Sequence, residues 1–164
     1  MEKFTHLDAQ GNALMVDVGD KKVTTREATA TGTIHMNKEC YKAVEAGTVK
    51  KGNVLSVAQL AGIMGAKKTS QLIPLCHILP LTHCSVAFDL DAAKQEITAC
   101  CRVKCDGKTG VEMEALTGTT IALLTIYDMC KALDKNMLMS DIHLVEKTGG
   151  KSGRFLYVPE AKNV

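Results

Sequence analysis

Asp128 sits in the run Ile126-Tyr127-Asp128-Met129-Cys130, with Lys131 three places further on. A carboxylate late in a helix-like stretch is unexpected, because Asp is a poor interior helix former and is disfavoured toward the negative C-terminal end. The spacing to Lys131 puts an ammonium beside the carboxylate on one helix face. Two readings are open: a surface ion pair, which stabilises little, or an acid/base pair able to relay protons. His77 lies in LIPLCHILPLTH between Pro74 and Pro80. These prolines forbid a regular helix and push Ile73 and Leu79 toward extended backbone, which braces the loop around Leu75, Cys76 and His77. Such a loop either holds a hydrogen-bonded structural histidine or offers a rigid platform to a planar heterocycle. Lys51, in the KKGN turn, reads as a solvated charge or, with Lys131 and Lys147, as a clamp on a polyanion. Gly149-Gly150-Lys151-Ser152 is not a P-loop: that motif needs a glycine where Val145 stands and a helix after the serine. Both a loose C-terminus and a lysine-bearing flap over an anion fit it.

The elements that must position these residues follow from periodicity and punctuation. EMEALTGTTIALLTIYDMCK, Glu112 to Lys131, repeats apolar residues at helical spacing, with Leu116, Thr120, Leu123, Tyr127 and Cys130 as the expected inward stripe. Ahead of it, alternation predicts a strand near Glu27 to Met36. Asn37 and Asn53 are N-caps for two helices, the first stopped at Gly47. Cys84 to Leu90 and EITACCRVKC form an antiparallel hairpin, and MLMSDIHLVEK, ending at Lys147, is a last strand. The order of elements, without regular strand–helix alternation, predicts an α+β ferredoxin-like sandwich: a four-stranded antiparallel sheet with helices packed on one face. The chain reads as one domain over residues 1–164, with 1–14 and 148–164 flexible.

Composition sets the boundaries. The 164 residues suit one core, and 20 basic against 18 acidic side chains leave a net charge of +2. A mixed, nearly neutral surface argues against nucleic acid, and an aromatic content of 4% without Trp leaves few stacking platforms for bases. No stretch has the ~18 continuous apolar residues of a membrane span, and MEKFTHLDAQ lacks a secretory apolar core, so a cytoplasmic protein with no membrane partner is expected. The seven cysteines contain no C-x-x-C pair. Reduced thiols are expected, with no metal and no cofactor.

These segments carry a resemblance. GVEMEALTGTTIALLTIYDMCKALDK, together with LIPLCHILPLTH, KGNVLSVAQLAGIMGAKKTS, MVDVGDK and KTGGKSG, closely resembles the cyclic pyranopterin monophosphate synthase family, the MoaC-type enzymes of molybdenum cofactor biosynthesis. The blocks stand in the family's order from about Met15 to Phe155. One departure is Ile78, where the family commonly has proline. The resemblance implies a lyase that rearranges the 3′,8-cyclised dihydroguanosine triphosphate made by a partner radical enzyme into the cyclic phosphate, releasing diphosphate. It places substrate contacts on Leu75, Cys76, His77, Met113 and Glu114, and catalysis on Asp128. Lys51, Glu112, Lys131 and Lys147 match its other functional positions, with Asp128, Lys131 and Lys51 taken as catalytic and Glu112 and Lys147 as substrate-binding.

One geometric expectation follows. Glu114 and Asp128 lie about 21 Å apart on a continuous helix at ~1.5 Å per residue, too far for one small pocket. If both act on one substrate, the site is shared across a two-fold interface; the resemblance extends this to a hexamer, a trimer of dimers. A break at Gly118 would instead fold Glu114 back toward its own Asp128. The rival functional reading is a non-catalytic oligomeric nucleotide-binding domain of the same shape.

Overall fold

Alternation in TTREATATGTIH sends Ala28, Ala30, Gly32 and Ile34 inward and the intervening threonines outward, and this segment forms β1, Thr24–His35. The computed structural model that shows this describes residues 10–159. Asn37 then caps α1, Lys38–Glu45, its side-chain oxygen accepting from Cys40 N at 2.8 Å. Asn53 does the same for α2, Val54–Lys67, accepting from Ser56 N at 3.0 Å. Gly47, just past α1, takes φ +66, the left-handed stop that glycine supplies without strain. A single helical turn not expected from the sequence, α3 at Thr69–Leu72, ends where Pro74 forces the chain out of helix.

The hairpin is β2, Leu81–Asp91, and β3, Glu96–Gly107. Its turn is locked by Asp91 Oδ1, which accepts from Ala93 N at 2.9 Å and Lys94 N at 3.1 Å. After it come α4, Glu112–Cys130, and β4, Leu138–Thr148. The strands form one antiparallel sheet in the order β2-β3-β1-β4, extended by a short β5, Phe155–Leu156. This is the ferredoxin-like α+β arrangement that the element order implied. The fifth strand gives part of the segment expected to be loose, 148–164, a fixed course: Phe155 and Leu156 pair with Lys147 and Glu146, and Tyr157 N donates to Val145 O at 2.8 Å. Residues 160–164 of that segment, and 1–9 of the expected flexible start, lie outside the described residues.

The core lies between the sheet's inner face and the helices, with Ile34, Ile97, Val103, Leu123 and Ile126 fully buried. The helix α4 crosses it without interruption, so the proposed break at Gly118 is overturned. Gly118 serves close approach instead. A Cβ there would stand 2.5 Å from Cys101 Sγ, and one on Gly62 of α2 would stand 2.9 Å from Gly118 O. The inward stripe also differs from expectation. Leu123 and Cys130 are buried as predicted, but Leu116, Thr120 and Tyr127 are only half-buried, while Ala115, Gly118, Thr119, Ala122, Ile126 and Met129 join the buried face. Contact with both the sheet and α2 widens that face, and small residues allow both neighbours to come near.

Candidate active site

The residues picked out in the sequence fall into two groups at opposite ends of α4. At its C-terminal end, Lys131 Nζ donates to Asp128 Oδ1 at 2.7 Å. Lys51 Nζ reaches Oδ2 at 3.4 Å and the Asp128 carbonyl at 2.9 Å, so it also satisfies a backbone acceptor that the helix end leaves open. Lys51 is delivered by the turn between α1 and α2, closed by Gly52 N donating to Val49 O at 2.9 Å. The sequence sets this carboxylate among apolar letters and leaves a surface pair or an acid/base pair open. The Asp128 side chain is 60% exposed, because Ile126, Met129 and Cys130 take the inward directions of the last turns. Bonds from Lys131, then Lys51, hold its carboxyl below the usual range, and Asp128 raises Lys131 in return. The result is an ionised acceptor flanked by ammonium donors on an open surface, able to shuttle a proton once a substrate group displaces a lysine.

The N-terminal end of α4 faces a cavity of about 750 Å³, built by the proline-braced loop on one side and the helix's first turn on the other. Leu75, Cys76 and His77 line it from the loop, Met113 and Glu114 from the helix, and Val16 and Val18 from the segment before β1. Cys76 N donates to Ile73 O at 3.1 Å, closing a turn just before His77. His77 Nε2 lies 2.8 Å from Val16 O. Glu114 is 4% exposed. Burial pushes its carboxyl up to about 7; its own backbone amide opposes this, and the charge on Glu112 adds to it. It thus titrates near neutrality against a largely apolar wall, as a proton donor or acceptor to a ring nitrogen would. Burial likewise raises the Cys76 thiol, which stays protonated.

A second cavity, of about 770 Å³, adjoins the first and shares Lys21, Thr109, Gly110 and Glu112 with it. Its walls carry Lys21, Lys22, Arg26, Lys108, Lys147 and Lys151 against the acidic Glu27 and Glu112. Lys147 Nζ donates to Glu112 Oε1 at 2.8 Å. The glycine-rich turn after β4 wraps this cavity: Gly149 and Gly150 have φ +94 and +74, and a Cβ on Gly150 would collide with the Arg26 guanidinium. Arg26 Nε is buried and without a hydrogen-bond partner among the described residues. Lys151 and Ser152 line the basic wall, which favours the anion-binding reading of the turn over a bare tail.

Two corrections follow. Lys51, Lys131 and Lys147 do not form one anion site within a chain, since Lys147 stands with Glu112 at the other end of α4 from Lys51 and Lys131. The basic cavity takes most of its cations from Lys21, Lys22, Arg26 and Lys108, which reasoning from the sequence did not select. Only Lys21 had a signal, as the last residue of the block MVDVGDK; Lys22 and Arg26 lie just beyond it and Lys108 in a distant segment of a nearly neutral chain. Among the described residues no group of three or more His, Cys, Asp or Glu is placed to hold a metal ion, and no helix is long and apolar enough to cross a membrane.

A family model described as the MoaC family matches residues 15–150. The chain is 57% identical over 154 residues to the cyclic pyranopterin monophosphate synthase of Clostridium botulinum (strain Alaska E43 / Type E3), covering 94% of this chain and 97% of that protein. It is 56% identical to the protein of the same name from Heliobacterium modesticaldum, covering 95% and 98%, and 56% identical to that from Chloroflexus aurantiacus, covering 92% and 93%.

Proposed function

The chain belongs to the MoaC family, and we propose that it performs the family's reaction in a site assembled from both ends of α4, each supplied by a different copy. The protein is a cyclic pyranopterin monophosphate synthase: a lyase of molybdenum cofactor biosynthesis that converts (8S)-3′,8-cyclo-7,8-dihydroguanosine 5′-triphosphate to cyclic pyranopterin monophosphate with release of diphosphate. The names of its relatives favour this over a non-catalytic nucleotide-binding domain. The observation that carries the assignment of parts is the pair of adjoining cavities, one largely apolar with Glu114 and His77, one basic, meeting at Glu112. A guanine-derived ring suits the first, where a carboxyl can face an N–H and an exocyclic amine. A triphosphate suits the second, where the cations offset charge on the phosphates and on the departing diphosphate.

Ring opening and reclosure need proton transfers, followed by attack of a substrate hydroxyl oxygen on the α-phosphorus as its bond to the diphosphate oxygen breaks. Asp128, Lys131 and Lys51 are the groups we assign to these transfers. They stand about 21 Å along α4 from Glu114 at ~1.5 Å per residue, so a second copy must bring them. Exposed apolar side chains on the outer helix faces, Val57, Leu60 and Met64 of α2 and Leu124 of α4, suit burial against another subunit. We extend this to a hexamer built as a trimer of dimers. It works in the cytoplasm, on the product of a radical enzyme, with no cofactor of its own. Incubating the pure protein with the cyclised triphosphate should release diphosphate together with the cyclic monophosphate. Binding without release would sustain the nucleotide-binding alternative and overturn the lyase.

A further inference from the structure

The segment leading into β1 is a structural part of the heterocycle cavity. Asp17 Oδ1 accepts from Gly19 N at 2.7 Å and Lys21 N donates to Val18 O at 3.1 Å, which folds residues 17–21 into a turn. Lys108 Nζ donates to Gly19 O, tying that turn to the loop before α4. Val16, half-buried beneath it, presents its carbonyl to His77 Nε2 at 2.8 Å. A carbonyl only accepts, so Nε2 must carry the hydrogen in this contact whether the ring is neutral or charged. The other nitrogen, Nδ1, is then the only ring atom whose proton can change.

We infer that Val16 is a positioning residue: its carbonyl fixes the tautomer and ring orientation of His77, so that Nδ1 alone meets the substrate, accepting a hydrogen bond or taking a proton there. This rests on the assignment of the heterocycle to the cavity that His77 lines. The chemistry is the familiar one in which a backbone carbonyl on one imidazole nitrogen sets the role of the other. A guanine-derived ring bearing an amine and N–H groups offers donors to such an acceptor, and a charged His77 would offer Nδ1–H to an oxygen instead.

The tautomer is read in the full chain with ¹⁵N-labelled histidine, by solid-state NMR of the sedimented protein, with His77 identified by difference against His77→Asn. Once the ring has been titrated to neutrality, the expected spectrum has a pyrrole-type Nε2 and a pyridine-type Nδ1. The reverse pattern overturns the inference. Kinetics give a second reading. Asn places its amide at the level of Nδ1, and Gln at the level of Nε2. Both changes should weaken the site, but His77→Gln should raise KM about tenfold more than His77→Asn, the effect of one lost hydrogen bond; a Gln variant equal to or better than Asn would refute the assignment. Deleting residues 1–16 keeps the Asp17–Gly19 turn and Lys21 and removes the carbonyl. It should mix the two tautomers and lower kcat/KM about tenfold with an unchanged melting midpoint, and an unaltered spectrum would leave Val16 no role. If the wild-type protein fails to turn over the cyclised triphosphate, the proposed function falls, and the spectrum still decides the tautomer.

Discussion

Replacing Glu114 with Gln should make the protein more stable and less active, and the gain in stability should grow with pH. Its carboxyl titrates at about 7 in the folded protein against an ordinary 4.5, because burial penalises the charged form. Below 4.5 both folded and unfolded chains hold the proton, so the group costs nothing. Between those values the unfolded chain ionises while the folded one does not, and folding loses stability; above about 7 the full penalty applies. Integrating this gives about 0.2 kcal/mol at pH 4 and about 3 kcal/mol at pH 8. At 4% exposure, solvent screening takes little from that figure. Gln keeps the shape without the charge. Its advantage should therefore nearly vanish at pH 4 and reach roughly 6 to 12 °C in melting midpoint at pH 8, at ~2–4 °C per kcal/mol for a chain of this size. The assay is thermal unfolding of both proteins across that range at fixed protein concentration. A pH-independent difference, or a Gln variant less stable at pH 8, would refute the reasoning that desolvation governs this group.

Asp128→Asn should lower turnover by about 100-fold or more while leaving the melting midpoint within about 2 °C, because the exposed side chain packs against nothing that its loss would open; turnover above about a tenth of wild type would exclude a proton-transfer role. Gly118→Ala sets a helix-propensity gain of ~1 kcal/mol against a Cβ placed 2.5 Å from Cys101 Sγ. Overpacking should win by about 1–3 kcal/mol in denaturant unfolding, and a stabilised variant would show that α4 and β3 have room to part at Cys101. Mixing inactive Glu114→Ala with inactive Asp128→Ala under subunit exchange should restore part of the activity, since hybrid interfaces hold one intact site. No recovery despite demonstrated exchange would return the whole site to a single chain.

What could be read from the sequence was local. Asn37 and Asn53 announce their helices because a cap acts within three residues, and the hairpin and α4 declare themselves by period. Asp128, Lys131, His77 with its loop, Lys51 and Lys147 could be picked out by residue type and position, whereas Glu112, Met113 and Glu114 were named through resemblance in blocks, and the structure then sorted them. Burial depends on neighbours that no period reveals. Asp128 looked enclosed in a run of apolar letters, yet a rotation of about 100° per residue turns it outward between Ile126 and Met129. The basic cavity was hidden for the same reason: Lys22, Arg26 and Lys108 reach one wall only when β1 lies beside β3 and the turn after β4 closes over them. A two-residue strand such as β5 has no alternation to detect and exists only through its pairing with β4.

The sheet's connectivity also sets a timetable for synthesis. Among the described residues β1 is the first strand made, and it needs a partner on each side: His35 pairs with Glu96 of β3 and with Leu138 of β4. At ~5–20 residues per second, β4 leaves the ribosome on the order of 5 to 20 s after β1. For that interval β1 carries open backbone edges, the condition under which strands of neighbouring nascent chains stick together. Its letters answer the hazard. Arg26, Glu27, Gly32 and a series of threonines dilute the apolar residues of TTREATATGTIH, so a strand that ends up in the middle of the sheet is composed like one that must first survive alone in water.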